Sequence, residues 1–197
     1  MKRQVIVIHG GDSFDTYEEY IDFLRDFEVT IDSFRQRMDW KTFLQDELGS
    51  GYDVFFPRMP DKNNAKFSEW KIWFEKMFPF VTDGVILVGH SLGGMFIAKY
   101  LAENKFPKKI AALFLVAAPH NNSMDVGDFT LPGSLTGVEK QVPVIHLLYS
   151  RDDEVVPFTE YKEYKKQLPD AKFFIFEFRG HFNQAKFHEL VDLIKEV

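Results

Sequence analysis

Three short stretches of this chain hold residue types that, brought together, perform nucleophilic acyl chemistry. The first is Gly89-His90-Ser91-Leu92-Gly93-Gly94, a G-x-S-x-G pattern. It follows a short apolar run and opens an amphipathic one, which puts Ser91 on a strand-to-helix turn. A nucleophile on such a turn has strained backbone dihedrals, and small residues two before and two after it let the strand and helix approach each other. The turn lifts the Ser91 hydroxyl clear of the sheet edge. It also sets the Leu92 N–H at a helix N-terminus, where developing negative charge is favoured. The bland alternative is a Gly-rich turn with an incidental serine.

A serine hydroxyl is a weak nucleophile and needs a base held by a third group. With this motif the acid follows the serine and the histidine comes last. The second stretch, Ser150-Arg151-Asp152-Asp153-Glu154-Val155-Val156-Pro157, and the third, Arg179-Gly180-His181-Phe182, fit that order, each after an apolar run. Three acids are adjacent. The register against Val156-Pro157 favours Asp153, and Asp152 reads as a turn residue capping its own backbone. The expected catalytic set is Ser91, Asp153 and His181. An oxyanion hole needs two donors. Leu92 N–H is one; the second is expected from His9-Gly10-Gly11-Asp12, with Gly11 N–H chosen and Asp12 as the fallback. Candidate pocket residues are Phe14, Met59, Phe96, His120, Phe129 and Phe182. Among the other histidines, His9 is expected to fix its loop, His90 to bond beneath the turn, and His146 to be a satisfied core residue. No two histidines have the i, i+4 spacing of a metal site, so no metal is expected.

These stretches are positioned by an alternation of short β-branched runs with longer helical patterns. Candidate strands are Val5 to Ile8, Tyr52 to Phe56, Val85 to Val88, Ala111 to Val116, Val144 to Tyr149 and Lys172 to Glu177. Helical stripes include Tyr17, Tyr20, Ile21, Leu24 and Phe27 behind a Thr16/Glu19 capping box. Others are Trp40 to Leu48, Phe67 to Met77, Leu92 to Glu103, Phe158 to Leu168 and Phe187 to Ile194. The pattern predicts an α/β three-layer sandwich, a mostly parallel sheet with helices on both faces. Ligands in such sheets sit outside the carboxyl ends of the strands. With 197 residues, the length favours one domain over 1–197.

Composition narrows the function classes. Lys and Arg number 24 against 30 Asp and Glu, a net charge of −6, so a nucleic-acid partner is not expected. No apolar run reaches the roughly 20 residues that cross a bilayer, and no membrane partner is expected. The chain has no cysteine, which excludes disulfides and a thiol nucleophile and is compatible with a reducing compartment; a cytoplasmic location is expected. The 22 phenylalanines read as an aromatic-rich core. Residues 12–28 hold Asp12, Asp15, Glu18, Glu19, Asp22, Asp26 and Glu28 against Arg25. The bland reading is a solvated helix with acids near its N-terminus. The functional one is a lid or pocket wall that disfavours anionic substrates.

The chain resembles the α/β-hydrolase superfamily along nearly its whole length. More closely, it is similar to the small single-domain serine hydrolases of the retinoblastoma-binding protein nine and YdeN type. That resemblance rests on Ile8-His9-Gly10-Gly11, Arg58-Met59-Pro60-Asp61, Gly89-His90-Ser91-Leu92-Gly93-Gly94, Gly180-His181-Phe182-Asn183 and Phe187-His188-Glu189-Leu190. It implies a six-stranded sheet in the order 2-1-3-4-5-6, and it carries Ser91, Asp153 and His181 over as a triad. Residues 121–137 stand where larger relatives carry a cap domain and are too few to form one. Without cysteine, the Leu-x-Cys-x-Glu motif linked with retinoblastoma-protein binding is missing, so that partner is not expected. The expectation is a cofactor-independent, carboxylesterase-like serine hydrolase acting on a small ester, thioester or amide. The alternative is a binding protein on the same scaffold.

Overall fold

The β-branched runs become six strands and the amphipathic stretches become the helices between them. The computed structural model describes residues 2–35, 38–123 and 126–197. In chain order the elements are β1 (Arg3–Ile8), α1 (Tyr17–Asp26), a 3-10 turn at Ile31–Phe34, α2 (Trp40–Leu48), β2 (Tyr52–Phe55), α3 (Phe67–Glu75) and a 3-10 turn at Phe78–Phe80. They continue with β3 (Val85–His90), α4 (Leu92–Glu103), β4 (Ile110–Val116), a 3-10 turn at Gly127–Phe129, α5 (Thr136–Glu139), β5 (Ile145–Ser150), α6 (Glu160–Gln167), β6 (Lys172–Phe176) and α7 (His188–Lys195). The strands pair in parallel, in the order β2-β1-β3-β4-β5-β6. That is the order the resemblance implies. The four-residue α5 and the 3-10 turns were not anticipated; elements that short carry no periodicity.

Because successive strand residues face opposite sides, the central strands feed two cores. Ile6, Ile8, Val85 and Leu87 pack with Trp70 and Phe74 of α3 and Phe96 and Ile97 of α4. Val5, Val7, Ile86 and Val88 pack with Trp40 and Leu44 of α2 and Leu190 and Ile194 of α7. Aromatic edges fill the first core: the Phe96 ring lies 5.5 Å from Phe67, 5.6 Å from Trp70 and 5.4 Å from Phe74. Each such buried side chain stabilises the fold by roughly 1.5–3 kcal/mol. Among the described residues, no helix is long and apolar enough to cross a membrane.

The exposure of α1 fits its reading as a solvated helix. The helix has its Thr16/Glu19 capping box, and none of its residues is buried. It rests on the body through Phe14, whose ring meets Tyr20 and Phe23, while Leu24 and Phe27 face outward. With Phe34, Phe80 and Phe178 also exposed, the phenylalanines are not all core.

His146 is in the core, wedged between Phe114 and Phe174, but it is not satisfied: among the described residues neither ring nitrogen has a hydrogen-bond partner. Burial, and after it the Lys172 charge, lowers its pKa to about 4. Above pH 6.5 the imidazole is neutral folded and unfolded, so it adds no pH dependence. Between 6.5 and about 4 the unfolded chain binds a proton that the folded chain does not, and stability falls with pH. His146→Leu is therefore expected to raise stability by about 1–3 kcal/mol by removing an unpaired buried polar ring. It should also flatten the loss between pH 6.5 and 4, read by urea melts at several pH values.

Candidate active site

β3 ends at His90, and Ser91 begins the turn into α4 with φ 55° and ψ −129°. A non-glycine residue there is strained, and such strain persists only where its surroundings over-determine it. One restraint is the hydrogen bond from Ser91 N–H to the Val116 carbonyl of β4, at 2.8 Å. The two small residues of the motif supply the space. A Cβ on Gly89 would stand 2.5 Å from Gly94 Cα, and one on Gly93 would stand 2.4 Å from the Ile8 and His9 carbonyl oxygens. Helix α4 can thus start hard against the end of β1.

That contact brings the exit of β1 beside the serine. A Cβ on Gly10 would lie 3.3 Å from Ser91 Oγ. His9 holds the turn: its Nδ1–H donates to the Gly10 carbonyl at 2.7 Å, and its Nε2 accepts the Met59 N–H at 2.9 Å. Asp12 N–H is engaged by the Lys62 carbonyl at 2.8 Å, so the fallback oxyanion donor is already committed.

His181 follows β6 on a short loop whose neighbours Gly180 and Phe182 both have positive φ, 50° and 54°. Its Nδ1 lies 2.9 Å from Asp153 Oδ2 and 3.1 Å from Oδ1. Asp153 is held in turn: Oδ1 accepts the N–H groups of Val155 and Val156, each at 2.9 Å. With Nδ1–H donating to the carboxylate, the His181 Nε2 is left as an acceptor.

Asp152 does more than the turn role expected of it. It lies in a turn and bonds its own backbone, as expected. Its Oδ1 accepts the Ser150 hydroxyl at 2.5 Å and reaches across to the Gly180 and Arg179 N–H groups, at 2.8 and 3.1 Å. The Ser150 hydroxyl, and then the Gly180 N–H, hold its carboxyl below the usual carboxylate range. Asp152 thus anchors the loop that presents His181. Asp152→Ala is expected to lower kcat/KM on a neutral ester by about 10- to 100-fold, since a misplacement near 1 Å costs that much. Steady-state kinetics beside a melting curve would check it.

A second support comes from α2, inside the long first connection. The Trp40 indole donates to the Phe182 carbonyl at 2.9 Å, and Trp40 N–H donates to the Gln184 carbonyl at 2.8 Å. The Lys41 ammonium, paired with Asp39 at 2.5 Å, lies 3.4 Å from His90 Nδ1. It donates there, so the His90 hydrogen sits on Nε2 and is given to the His181 carbonyl at 2.9 Å. Burial first, then the Lys41 charge, holds His90 far below the usual imidazole range, so it stays a neutral strut. Asp39-Trp40-Lys41 shows locally only as a helix start; nothing in the sequence couples it to residues near 181.

The described residues bring Ser91, His90, His181, Asp153 and the β1 exit to one rim. The Leu92 and Gly11 N–H groups donate to no other group among them. The pocket candidates are all buried. Phe96, Phe129 and Phe182 are wholly buried, the first two in one core and Phe182 in the other. They are packing residues because large apolar side chains behind the rim are drawn into the cores. Phe14 (6% exposed), Met59 (4%) and His120 (5%) are also buried. His120 turns toward α6: its N–H donates to the Glu160 carboxylate and its ring meets Tyr164 edge-on.

A family described as Serine hydrolase matches residues 33–196. The rat (Rattus norvegicus) protein Serine hydrolase RBBP9 is 30% identical over 152 residues, covering 75% of this chain and 78% of the relative. The ydeN gene product of B. subtilis is similar in structure, with a TM-score of 0.78 at 20% identity, over 99% of this chain and 98% of that one. Est1E from Butyrivibrio proteoclasticus gives a TM-score of 0.58 at 17% identity, over 99% and 86%. At these identities the solved structures speak for the fold.

Proposed function

This chain belongs to the serine hydrolase family, and from that premise we propose that it cleaves a small ester, thioester or amide through an acyl-enzyme on Ser91. The observation that carries the proposal is the 2.9 Å contact of His181 Nδ1 with Asp153, on the rim where the strained Ser91 turn stands. Ser91 Oγ attacks the acyl carbon while His181 Nε2 takes its proton. Asp153 holds the imidazole and stabilises the cation that forms. The N–H groups of Leu92 and Gly11 receive the oxyanion. His181 returns the proton to the leaving group, and water releases the acyl group by the same relay in reverse. Every proton transfer uses side chains of this chain, so the reaction is cofactor-independent and carboxylesterase-like, and its partner is a small acyl molecule. An ester is the favoured substrate because it has the better leaving group.

The test is labelling with a fluorophosphonate, followed by peptide mapping, together with the time course of p-nitrophenyl acetate cleavage. An adduct on Ser91 and a burst of one nitrophenolate per chain are expected. Folded protein that takes no label would favour a binding role instead.

A further inference from the structure

One cleft near the exit of β1 is left unused by this chemistry. It measures about 330 Å³ and lies between Tyr17 and Tyr20 of α1 and the turn 61–64. A larger cleft, about 540 Å³, opens by Arg3, Thr82 and Lys108 at the amino-terminal edge of the sheet, on the rim away from Ser91. Two contacts tie the smaller cleft to the nucleophile. Gly10 lies against Ser91 Oγ, and the next residue, Gly11, lies so close to the Lys62 carbonyl that a Cβ would stand 2.4 Å from it. One Cα–Cα step of about 3.8 Å therefore separates the residue touching Ser91 from the residue touching the cleft wall. The wall is fastened on both sides of that step: Asp12 N–H donates to the Lys62 carbonyl, and the Asp12 carbonyl accepts the Ala65 N–H, each at 2.8 Å.

The cleft contains one unspent cation. Lys62 is exposed and makes no ion pair among the described residues. Asp61 is held at φ 41°, a strained conformation that shapes this turn. The opposite wall is phenolic. Of the α1 acids, Glu19 is turned back onto the cap at Thr16 and Asp22 pairs with Arg25. Glu18 and Asp26 stay exposed, but neither lines the cleft, where Asp61 and Lys62 are the charged residues. Burial, opposed by the Gly10 carbonyl, lowers the His9 pKa, and the positive fields of Lys62 and Lys41 lower it further, so both cations bear on the β1 exit.

We infer that this cleft is a substrate subsite for acyl compounds carrying a free carboxylate away from the scissile bond. Lys62 pairs the carboxylate, and Tyr17 and Tyr20 wall the chain leading to it. The inference rests on Ser91 being the nucleophile and names the substrate class for that site. It runs against the net charge of −6, because recognition is set by the charges a ligand touches, not by the sum over the chain.

The experiment compares the p-nitrophenyl monoester of adipic acid with p-nitrophenyl hexanoate, which has the same chain length without the carboxylate. Wild type is expected to prefer the adipate ester. Lys62→Glu is expected to lower the adipate-to-hexanoate ratio of kcat/KM by about tenfold or more, the scale of a lost charge-assisted contact. A ratio favouring hexanoate in wild type, or one that Lys62→Glu leaves in place, overturns the subsite while the hydrolase reading stands. If neither ester is cleaved and fluorophosphonate does not label Ser91, the hydrolase reading falls. The subsite is then judged by calorimetric binding of adipate to the Ser91→Ala protein. Weakening by about tenfold with Lys62→Glu upholds it, and unchanged or undetectable binding overturns it.

Discussion

Replacing Ser91 with alanine is expected to lower kcat for p-nitrophenyl acetate by about 10⁴- to 10⁶-fold and to abolish fluorophosphonate labelling, with the fold intact. The size follows from the proposed mechanism, in which loss of the hydroxyl leaves no acyl-enzyme and only an uncatalysed attack by water. The expected intact fold follows from the structure. Ser91 is bound to β4 through its backbone N–H, a bond that alanine keeps. Alanine also keeps the strain of φ 55°, whereas glycine relieves it. Ser91→Gly is therefore expected to be as inactive as Ser91→Ala but more stable than either, by about 1 kcal/mol. Kinetics and urea melts of the three proteins check both halves. An alanine variant with substantial turnover would remove Ser91 from the chemistry.

The second large effect separates two adjacent acids. Asp153→Asn is expected to lower kcat by about 10⁴-fold, while Asp152→Asn changes it far less. At 153, the Val155 and Val156 N–H groups both point at Oδ1, so an asparagine must keep its oxygen there. Its NH₂ then takes the Oδ2 place, 2.9 Å from His181 Nδ1. Two donors cannot face each other, so the imidazole hydrogen moves to Nε2, and the ring can no longer accept the serine proton. At 152, the single atom Oδ1 receives the Ser150, Arg179 and Gly180 donors, and an asparagine oxygen serves them equally. The reverse ranking, with Asp152→Asn inactive and Asp153→Asn near wild type, would move the acid of the relay to position 152.

Local pattern made much of this legible. Six expected strands lie within two residues of the observed ones, because parallel strands covered on both faces read as short apolar runs whatever surrounds them. The strained turn at Ser91 was readable from Gly89 and Gly93, since close approach leaves a mark in residue size. The pocket was not. Phe96, Phe129 and Phe182 follow the same apolar logic as any core side chain, and only packing tells a wall facing substrate from one facing a neighbour. His146 was expected to be bonded because most buried histidines are; its partners had to be counted in space.

The amino-acid order alone determined the alternation of strands and helices, the parallel sheet, and which residue types could stand on its carboxyl-end rim. Those properties arise between neighbours in the chain, through hydrophobic periodicity and the size of glycine. Only the tertiary structure decided that Asp153 meets His181 while Asp152 anchors the loop beneath it, that α2 braces that loop through Trp40 and Lys41, and that the Lys62 carbonyl meets Gly11, next in the chain to the glycine against Ser91. These are contacts between segments distant in sequence, and their partners are chosen by how the layers pack.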